Sequence, residues 1–189
     1  MSHTPSALVL LTQGAEEMEA VISIDVLRRA GVQVVVAGVD GGEPIRCSRD
    51  VLITPDVALA DVRGAFDVLV LPGGAEGATR LAESPRVGEL LKEQELAGRM
   101  VAAICAAPIA LQAHGVFEGR KLTSHPSVKS VLEDWGSYSE HPVEADGNLI
   151  TSRGPGTAFA VALRIVGALT DAERMVQGRA PMMFPVQVS

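Results

Sequence analysis

Short apolar segments alternate with longer segments of helical periodicity along most of this 189-residue chain. Four segments rich in Val, Leu, Ile and Ala have the length of buried strands: residues 7–11, 32–36, 68–71 and 100–104. Four others have the length and small-residue content of helices: residues 16–30, 85–96, 106–114 and 157–169. This alternation predicts an α/β fold in which a mostly parallel sheet carries helices on both faces.

Two further segments, residues 45–53 and 143–150, are short and flanked by turns, and Asp146-Gly147 is a hairpin signal. We expect both segments to form antiparallel ribbons at the periphery of the sheet. The length suits one α/β domain, and no internal repeat or linker interrupts the sequence. We therefore expect a single domain over residues 1–189.

The composition argues against several classes of function. A net charge of −7 without a Lys/Arg-rich patch opposes a phosphate backbone, so we do not expect nucleic acid as the main partner. The apolar run 7–11 is too short for a signal peptide or a membrane span. Cys47 and Cys105 have no Cys or His at metal-ligand spacing, and no glycine-rich phosphate loop is present. We expect no metal, no cofactor and a reducing, cytosol-like compartment.

Candidate functional residues follow three of the predicted strands. Pro72-Gly73-Gly74 follows 68–71, Cys105-Ala106 follows 100–104, and His125-Pro126 follows a short strand at 121–123. In open parallel sheets, ligands bind outside the carboxyl ends of the strands. The sequence therefore predicts a site at that edge.

Cys105 is the candidate nucleophile. If a strand ends at Cys105 and a helix opens at Ala106, the N–H groups of the first helical turn favour a thiolate. The small residues Ala103 and Ala107 would let strand and helix pass closely, as at the nucleophile elbow of α/β hydrolases. The alternative is a buried cysteine that acts as a small hydrophobe.

The main-chain N–H groups of Gly73-Gly74 and Ala106 are candidate oxyanion donors, although a Gly-Gly after a strand also serves simply as a turn. Of the four histidines, His125 is the best candidate for handling a proton. His114 lies nine residues along the predicted helix from Cys105, about 13 Å of rise, and cannot reach the sulfur. The alternative for His125 is a structural hydrogen-bonding role.

The glutamates near the start of helix 16–30 differ in their direction on a helical wheel. An apolar stripe is formed by Ala15, Met18, Ile22, Val26 and Ala30. Glu19 lies about 40° from the centre of this stripe, whereas Glu16 and Glu17 lie roughly 100° and 160° away and are interpreted as solvated charges. A buried carboxylate is costly unless it is protonated or paired, so we expect Glu19 to share one proton with the thiol.

Seven motifs together resemble the ThiJ/PfpI superfamily. They are GAEEMEA at 14–20, LRRAGVQVVVAG at 27–38, CSRD at 47–50, VLPGG at 70–74, AAICAAP at 102–108, TSHP at 123–126 and TSRGPGT at 151–157. The resemblance covers nearly the whole chain. It implies a homodimeric flavodoxin-like sandwich, similar to the class I glutamine amidotransferases.

The resemblance also implies roles for particular residues. Cys105 corresponds to a redox-sensitive nucleophile, Glu19 to a protonated glutamate and His125 to the family histidine, while Gly74 and Ala106 correspond to the oxyanion donors. Further residues in matching motifs imply a pocket or dimer contact, with surface ion pairs as the alternative for the arginines: Arg29, Arg49, Arg153 and Pro155. Cys47 is a second modifiable thiol, for which a structural or interfacial role is the alternative.

The implied activity is a cysteine-dependent, glutathione-independent glyoxalase and protein deglycase. Such an enzyme acts on methylglyoxal, glyoxal and their early adducts on proteins, and the same cysteine senses oxidative stress. The alternative is a non-catalytic redox sensor and redox-dependent chaperone that acts through partner binding. Cytoplasm, nucleus and mitochondrion are the implied locations.

Two departures from the superfamily bear on these expectations. Its protease branch has a histidine directly after the cysteine, where this chain has Ala106, so we do not expect a protease. The tail 182–189 does not follow the family closely, and the sequence assigns it no role.

Overall fold

The structure, a computed structural model, describes residues 3–184. Its main sheet has seven strands: β1 (Ser6–Leu11), β2 (Gln33–Gly38), β5 (Val57–Ala58), β6 (Val68–Leu71), β7 (Met100–Ile104), β10 (Val143–Asp146) and β11 (Leu149–Ser152). Their order is β10-β11-β7-β6-β1-β2-β5, and every neighbouring pair is parallel except β10 and β11. Two small sheets lie apart: β3 (Ile45–Arg46) with β4 (Leu52–Ile53), antiparallel, and β8 (Lys121–Leu122) with β9 (Ser137–Tyr138), parallel.

Helices cover both faces of the main sheet. One face carries α1 (Glu17–Arg29), α6 (Ala158–Leu169) and α7 (Ala172–Arg179). The other carries α2 (Ala75–Glu83), α3 (Pro85–Leu96) and α4 (Pro108–His114), while α5 (Lys129–Leu132) is a single turn that contacts α4. The predicted α/β sandwich of flavodoxin-like type is therefore confirmed.

The core is divided between the two faces by the two-residue period of the strands. In β1, Leu8 and Leu10 pack with α2, α3 and α4, whereas Ala7 and Val9 pack with α1 and α6. All four side chains are fully buried. A strand buried on both faces has no polar alternation, which is why it appears in the sequence as a continuous apolar run.

The four predicted strands are confirmed to within two residues at each end, and segment 45–53 forms the expected antiparallel pair β3–β4. The expectation that 143–150 is peripheral is wrong for its second half. Strand β11 pairs in parallel with β7 inside the main sheet, with Ser152 beside Ile104. Its four residues are all buried, so the apolar and β-branched character of Leu149, Ile150 and Thr151 indicates an internal strand.

Several elements differ from the sequence expectations because of close packing. Helix α4 begins at Pro108 rather than at Ala106, since Cys105 has a left-handed φ of 64° and the chain turns before the helix starts. Helix α2 was not expected, and its Gly77 lies where a Cβ would approach the Ala15 Cα to 2.8 Å. Helix propensity disfavours such a glycine, but the packing requires it.

The short elements α5, α7, β5 and β9 also lacked a sequence signal. The described residues do not include residues 1, 2 and 185–189. The two ends of the expected domain and most of the tail 182–189 therefore lie outside them. Within residues 3–184, no helix combines the length and the apolar character that crossing a membrane requires.

Candidate active site

The carboxyl ends of β6, β7 and β11 meet at one edge of the sheet, where the first turn of α1 also lies. Two main-chain hydrogen bonds fix Cys105 there: its N–H donates to the Ser152 carbonyl at 2.9 Å, and its carbonyl accepts from the His125 N–H at 2.7 Å. Residues far apart in the sequence therefore surround one sulfur atom.

Cys105 occupies a tight turn between β7 and α4. Its φ of 64° is one that L-residues rarely adopt, and such strain is characteristic of functional turns. The side chain is 9% exposed, and the flanking Ala103 and Ala107 are buried. The main-chain N–H groups of Gly74 and Ala106 lie close enough to the sulfur to lower the pKa of its thiol.

Glu19 is fully buried in the first turn of α1. Its Oε2 accepts a hydrogen bond from the Gly73 N–H at 2.7 Å. Its Oε1 is buried and has no hydrogen-bonding partner of acceptable geometry among the described residues, and the carboxyl group interacts with the Cys105 thiol. One oxygen is therefore fixed by the main chain, and the other is available to carry a proton towards the sulfur.

Burial raises the pKa of the Glu19 carboxyl to about 7, and the negative charge of Glu16 acts in the same direction. Burial and then the charge of Glu19 raise the pKa of the Cys105 thiol to about 12, against the opposing effect of the Gly74 and Ala106 N–H groups. While Glu19 is ionised, desolvation and like charge outweigh these amides, so the predicted thiolate depends on a protonated Glu19.

The two groups are better treated as one titrating pair. When Glu19 holds a proton, its charge no longer opposes ionisation of Cys105, and the acid O–H is a donor to the sulfur anion. The two forms that carry one proton, thiol with carboxylate and thiolate with carboxylic acid, then differ only by transfer of that proton. This arrangement places a candidate nucleophile beside a carboxyl group whose pKa is about 7.

The loop after β6 requires glycine at two positions. A Cβ on Gly73 would lie 2.5 Å from the Cys105 Cβ and 2.9 Å from Glu19 Oε2. Gly74 has a φ of 86°, and a Cβ there would collide with the Gly14 carbonyl. The Gly-Gly pair is thus more than a turn, because it allows the main chain to approach the sulfur and the carboxyl group.

His125 is joined to the site through its main chain, and its exposed ring is held by Ser127. Nδ1 lies 2.8 Å from Ser127 Oγ and accepts from the Ser127 N–H at 3.2 Å. A Cβ on Gly154 would lie 3.7 Å from the His125 Cδ2, which places the ring against the loop after β11. Nε2 makes no hydrogen bond within the described part of the chain and is the nitrogen available to a substrate or water.

The other predicted residues lie in three different parts of the fold. Arg153 and Pro155 lie in the loop after β11, with Arg153 Nη1 donating to the Glu140 carbonyl at 2.8 Å. Arg29 lies in the last turn of α1, about 15 Å of helix from Glu19, and pairs with Asp25 at 2.6 Å. The exposed Arg49 guanidinium donates to the Ser48 carbonyl.

Cys47 is 4% exposed and lies between β3 and β4. Burial, followed by the charges of Glu17 and Glu16, raises the pKa of its thiol to about 11. Within residues 3–184, no hydrogen-bond donor lowers the pKa of this thiol, and the thiol also lacks the pairing that Cys105 has with Glu19. Cys47 packs in an apolar cluster with Ala15 and Ile45, and its modification stays a prediction.

The helical wheel was wrong about three neighbours of Glu19. Glu17 is 7% exposed and accepts from Ser48 Oγ and the Arg49 N–H, both at 2.8 Å. Glu16 caps α1 by accepting from the Glu19 N–H, and Met18 is 52% exposed. Glu is not among the residues preferred at helix N-caps, so no local pattern indicated this role of Glu16.

A flavodoxin-like sheet with a strained cysteine at the end of β7, two main-chain donors and a buried carboxyl group defines a nucleophile-elbow protein of the α/β class. The chain belongs to the DJ-1/PfpI family, whose family model matches residues 5–168. The family resemblance inferred from the seven motifs is thereby confirmed.

Named relatives cover almost the full chain. The "Parkinson disease protein 7 homolog" of Danio rerio is 53% identical over 94% of this chain and 96% of its own length. The "Glutathione-independent glyoxalase DJR-1.2" of Caenorhabditis elegans is 45% identical over 92% of this chain and 94% of its own. The crystal structure of Drosophila melanogaster DJ-1beta superposes with a TM-score of 0.95 at 51% identity, over 97% of this chain and 100% of that one.

Proposed function

We propose that this protein is a cysteine-dependent, glutathione-independent glyoxalase that converts methylglyoxal to lactate and glyoxal to glycolate. The observation that carries the proposal is the Cys105 sulfur between the Gly74 and Ala106 N–H groups, beside a buried Glu19 whose pKa is about 7. A relative at 45% identity carries the name of a glutathione-independent glyoxalase, which supports the same chemistry.

The reaction begins with the form of the pair in which Glu19 holds the proton. The Cys105 thiolate attacks the aldehyde carbon of methylglyoxal, the C–S bond forms, and the carbonyl π electrons move to oxygen. The Gly74 and Ala106 N–H groups stabilise this developing oxyanion. Glu19 then gives its proton to the oxygen, which leaves a neutral hemithioacetal and a carboxylate.

The Glu19 carboxylate next removes the proton from the former aldehyde carbon while the ketone oxygen takes up a proton, which gives an enediol. Glu19 then returns its proton to the neighbouring carbon as the first hydroxyl loses its own. The first carbon is oxidised and the second reduced, so a thioester of lactate forms without an external oxidant. Water adds to the thioester carbonyl, the C–S bond breaks and lactate leaves, while the thiol regains its proton. His125 Nε2 is the group available to accept the proton of that water.

The same chemistry extends to early adducts of methylglyoxal on proteins. A hemithioacetal on a cysteine or a hemiaminal on a lysine or arginine carries a carbon at the oxidation level of the aldehyde. Release of the aldehyde from the adduct, or attack of Cys105 on that carbon, frees the modified side chain. Deglycase activity therefore requires no residue beyond those of the glyoxalase reaction.

The test is to incubate purified protein with methylglyoxal and follow lactate by NMR. Wild type should form lactate, Cys105→Ser should form none, and Cys47→Ser should match wild type because Cys47 is the matched thiol outside the site. No lactate from wild type, or equal lactate from Cys105→Ser, rejects the proposal.

A second role at the same sulfur is redox sensing. The Cys105 thiolate can attack hydrogen peroxide to give sulfenic acid and water, and a second peroxide gives sulfinic acid and water. The donors that suit an oxyanion also suit the two sulfinate oxygens. Intact mass after mild peroxide should show a two-oxygen adduct that peptide mapping places on Cys105, whereas scattered oxidation of Cys47 and methionines would argue against it.

We also propose that the protein is a homodimer through an exposed apolar patch formed by Met18, Val21, Val51, Leu52 and Ile53. Val21 and Ile53 line one groove between α1 and β4, and the first four side chains are exposed by 46–59%. Exposed apolar patches of this kind mark interaction sites, and a dimer contact here would remove these side chains from water. The implied cytoplasmic, nuclear and mitochondrial locations stay predictions.

A further inference from the structure

A closed ring of three hydrogen bonds joins the start of α1 to the loop after β6. The Glu16 carboxylate accepts from the Glu19 N–H at 2.8 Å, and the Glu16 N–H donates to the Gly73 carbonyl at 3.0 Å. The Gly73 N–H completes the ring by donating to Glu19 Oε2 at 2.7 Å. Each of the three residues is therefore held by the other two.

The ring leaves little room for adjustment around the sulfur. A Cβ on Gly74 would lie 2.8 Å from the Glu16 nitrogen, and a Cβ on Gly73 would lie 2.9 Å from Glu19 Oε2. Gly74 supplies one of the two N–H groups that reach Cys105. A shift of Glu16 would therefore move both the carboxyl group and an oxyanion donor.

Glu16 also brings a charge. Burial is the main cause of the raised pKa of Glu19, and the negative charge of Glu16 raises this pKa further. The other titratable group that acts on Glu19 is Cys105 after β7, and the loop after β6 contributes only the Gly73 N–H. Among the described residues outside the Glu19–Cys105 pair, Glu16 is thus the charged side chain that changes the pKa of Glu19.

We infer that Glu16 is a positioning residue for the Glu19–Cys105 pair, fixing the first turn of α1 through its carboxylate and holding a negative charge beside the shared proton. The inference rests on the pair used in the proposed function and adds to it a residue that touches neither substrate nor sulfur. A helix cap without the electrostatic role is the simpler alternative, and the two are separable by substitution.

Glu16→Gln keeps an oxygen that can accept the Glu19 N–H and removes the charge, whereas Glu16→Ala removes both. The readout is the rate of Cys105 alkylation by iodoacetamide against pH, measured by peptide mass spectrometry. In wild type the rate should rise through pH of about 7, as the pair loses one of its two protons. In Glu16→Gln the midpoint should fall by roughly half a pH unit, with the thermal unfolding midpoint unchanged.

Two controls separate this result from general effects. Glu89→Gln on α3 removes an exposed carboxylate that pairs with Arg86, and its alkylation midpoint should equal that of wild type. Raising the salt concentration to 1 M should narrow the difference between Glu16→Gln and wild type, because salt screens charge. Glu16→Ala should shift the midpoint and also unfold at a lower temperature, since the cap is lost.

An alkylation midpoint in Glu16→Gln equal to that of wild type would overturn the inference, as would an equal shift in Glu89→Gln. Neither readout requires methylglyoxal. A midpoint shift together with absence of lactate would therefore reject the proposed function and leave the positioning role of Glu16 in place.

Discussion

Gly73 and Glu19 lie 54 positions apart in the chain, and the N–H of the first donates to the carboxyl group of the second at 2.7 Å. This bond determines which carboxyl oxygen is fixed by the main chain and which one is free to exchange a proton with Cys105. The chemistry proposed for the protein depends on that division.

Glu19→Gln should change how stability depends on pH. The folded pKa of Glu19 is raised to about 7 from 4.5, so its stabilising contribution is complete below pH 4.5 and is lost as pH rises through 7. Relative to Glu19→Gln, wild type should therefore lose about 3 kcal/mol of unfolding free energy between pH 4.5 and pH 8. Urea denaturation of both proteins at the two pH values measures this. A constant difference would contradict the burial effect.

Gly73→Ala should lower both stability and the reactivity of Cys105. The added Cβ meets the Cys105 Cβ at 2.5 Å and the Ile104 carbonyl at 2.8 Å, and neither belongs to a flexible side chain. We expect a loss of about 1–3 kcal/mol in unfolding free energy, as for other overpacked sites. Gly156→Ala is the matched control, because nothing lies within 4 Å of a Cβ there. Equal stability of the two variants would contradict the prediction.

Iodoacetamide at pH 8 should label Cys105 before Cys47. Burial raises the pKa of both thiols, but the Cys105 proton can pass to Glu19, whereas Cys47 faces the charges of Glu17 and Glu16 without such a partner. Peptide mapping at increasing times measures the order. In 8 M urea the preference should disappear, and the reverse order in native protein would contradict the pairing.

Leu52→Asp should shift the protein from dimer to monomer. Leu52 is 59% exposed on β4 and belongs to the proposed patch, so a charge there would be buried in the proposed interface. Sedimentation velocity measures the shift. Leu96→Asp is the control, because Leu96 is 91% exposed on α3, away from the patch, and this variant should sediment as wild type does. A dimer that persists in Leu52→Asp would exclude this patch.

The sequence predicted the sheet well because its strands are buried on both faces and appear as uninterrupted apolar runs. It also singled out Glu19 and Cys105 as candidates, which the structure brings together, since a carboxylate near an apolar stripe and a cysteine at a strand end are local features. The sequence placed β11 at the periphery, whereas it lies inside the main sheet. A hairpin signal at Asp146-Gly147 does not reveal that the second strand also pairs with β7.

The missed features depend on contacts between distant parts of the chain. Glu17 is buried by Ser48 and Arg49, some thirty positions away, and a helical wheel contains no information about such neighbours. The pKa of the Cys105 thiol likewise depends mainly on how deeply the residue is buried. Its position at the end of a strand does not indicate that depth. Local pattern indicates which groups are candidates for the chemistry, and tertiary packing decides their protonation.

The hydrogen bond from the Cys105 N–H to the Ser152 carbonyl has a consequence for synthesis on the ribosome. Chains emerge from the amino terminus, and a segment takes part in folding only after it has left the exit tunnel. The left-handed turn at residue 105 lacks this partner until residue 152 has emerged. The turn at Cys105 therefore gains this hydrogen bond late, when most of the polypeptide is already outside, and a prematurely terminated product that ends before residue 152 would lack it.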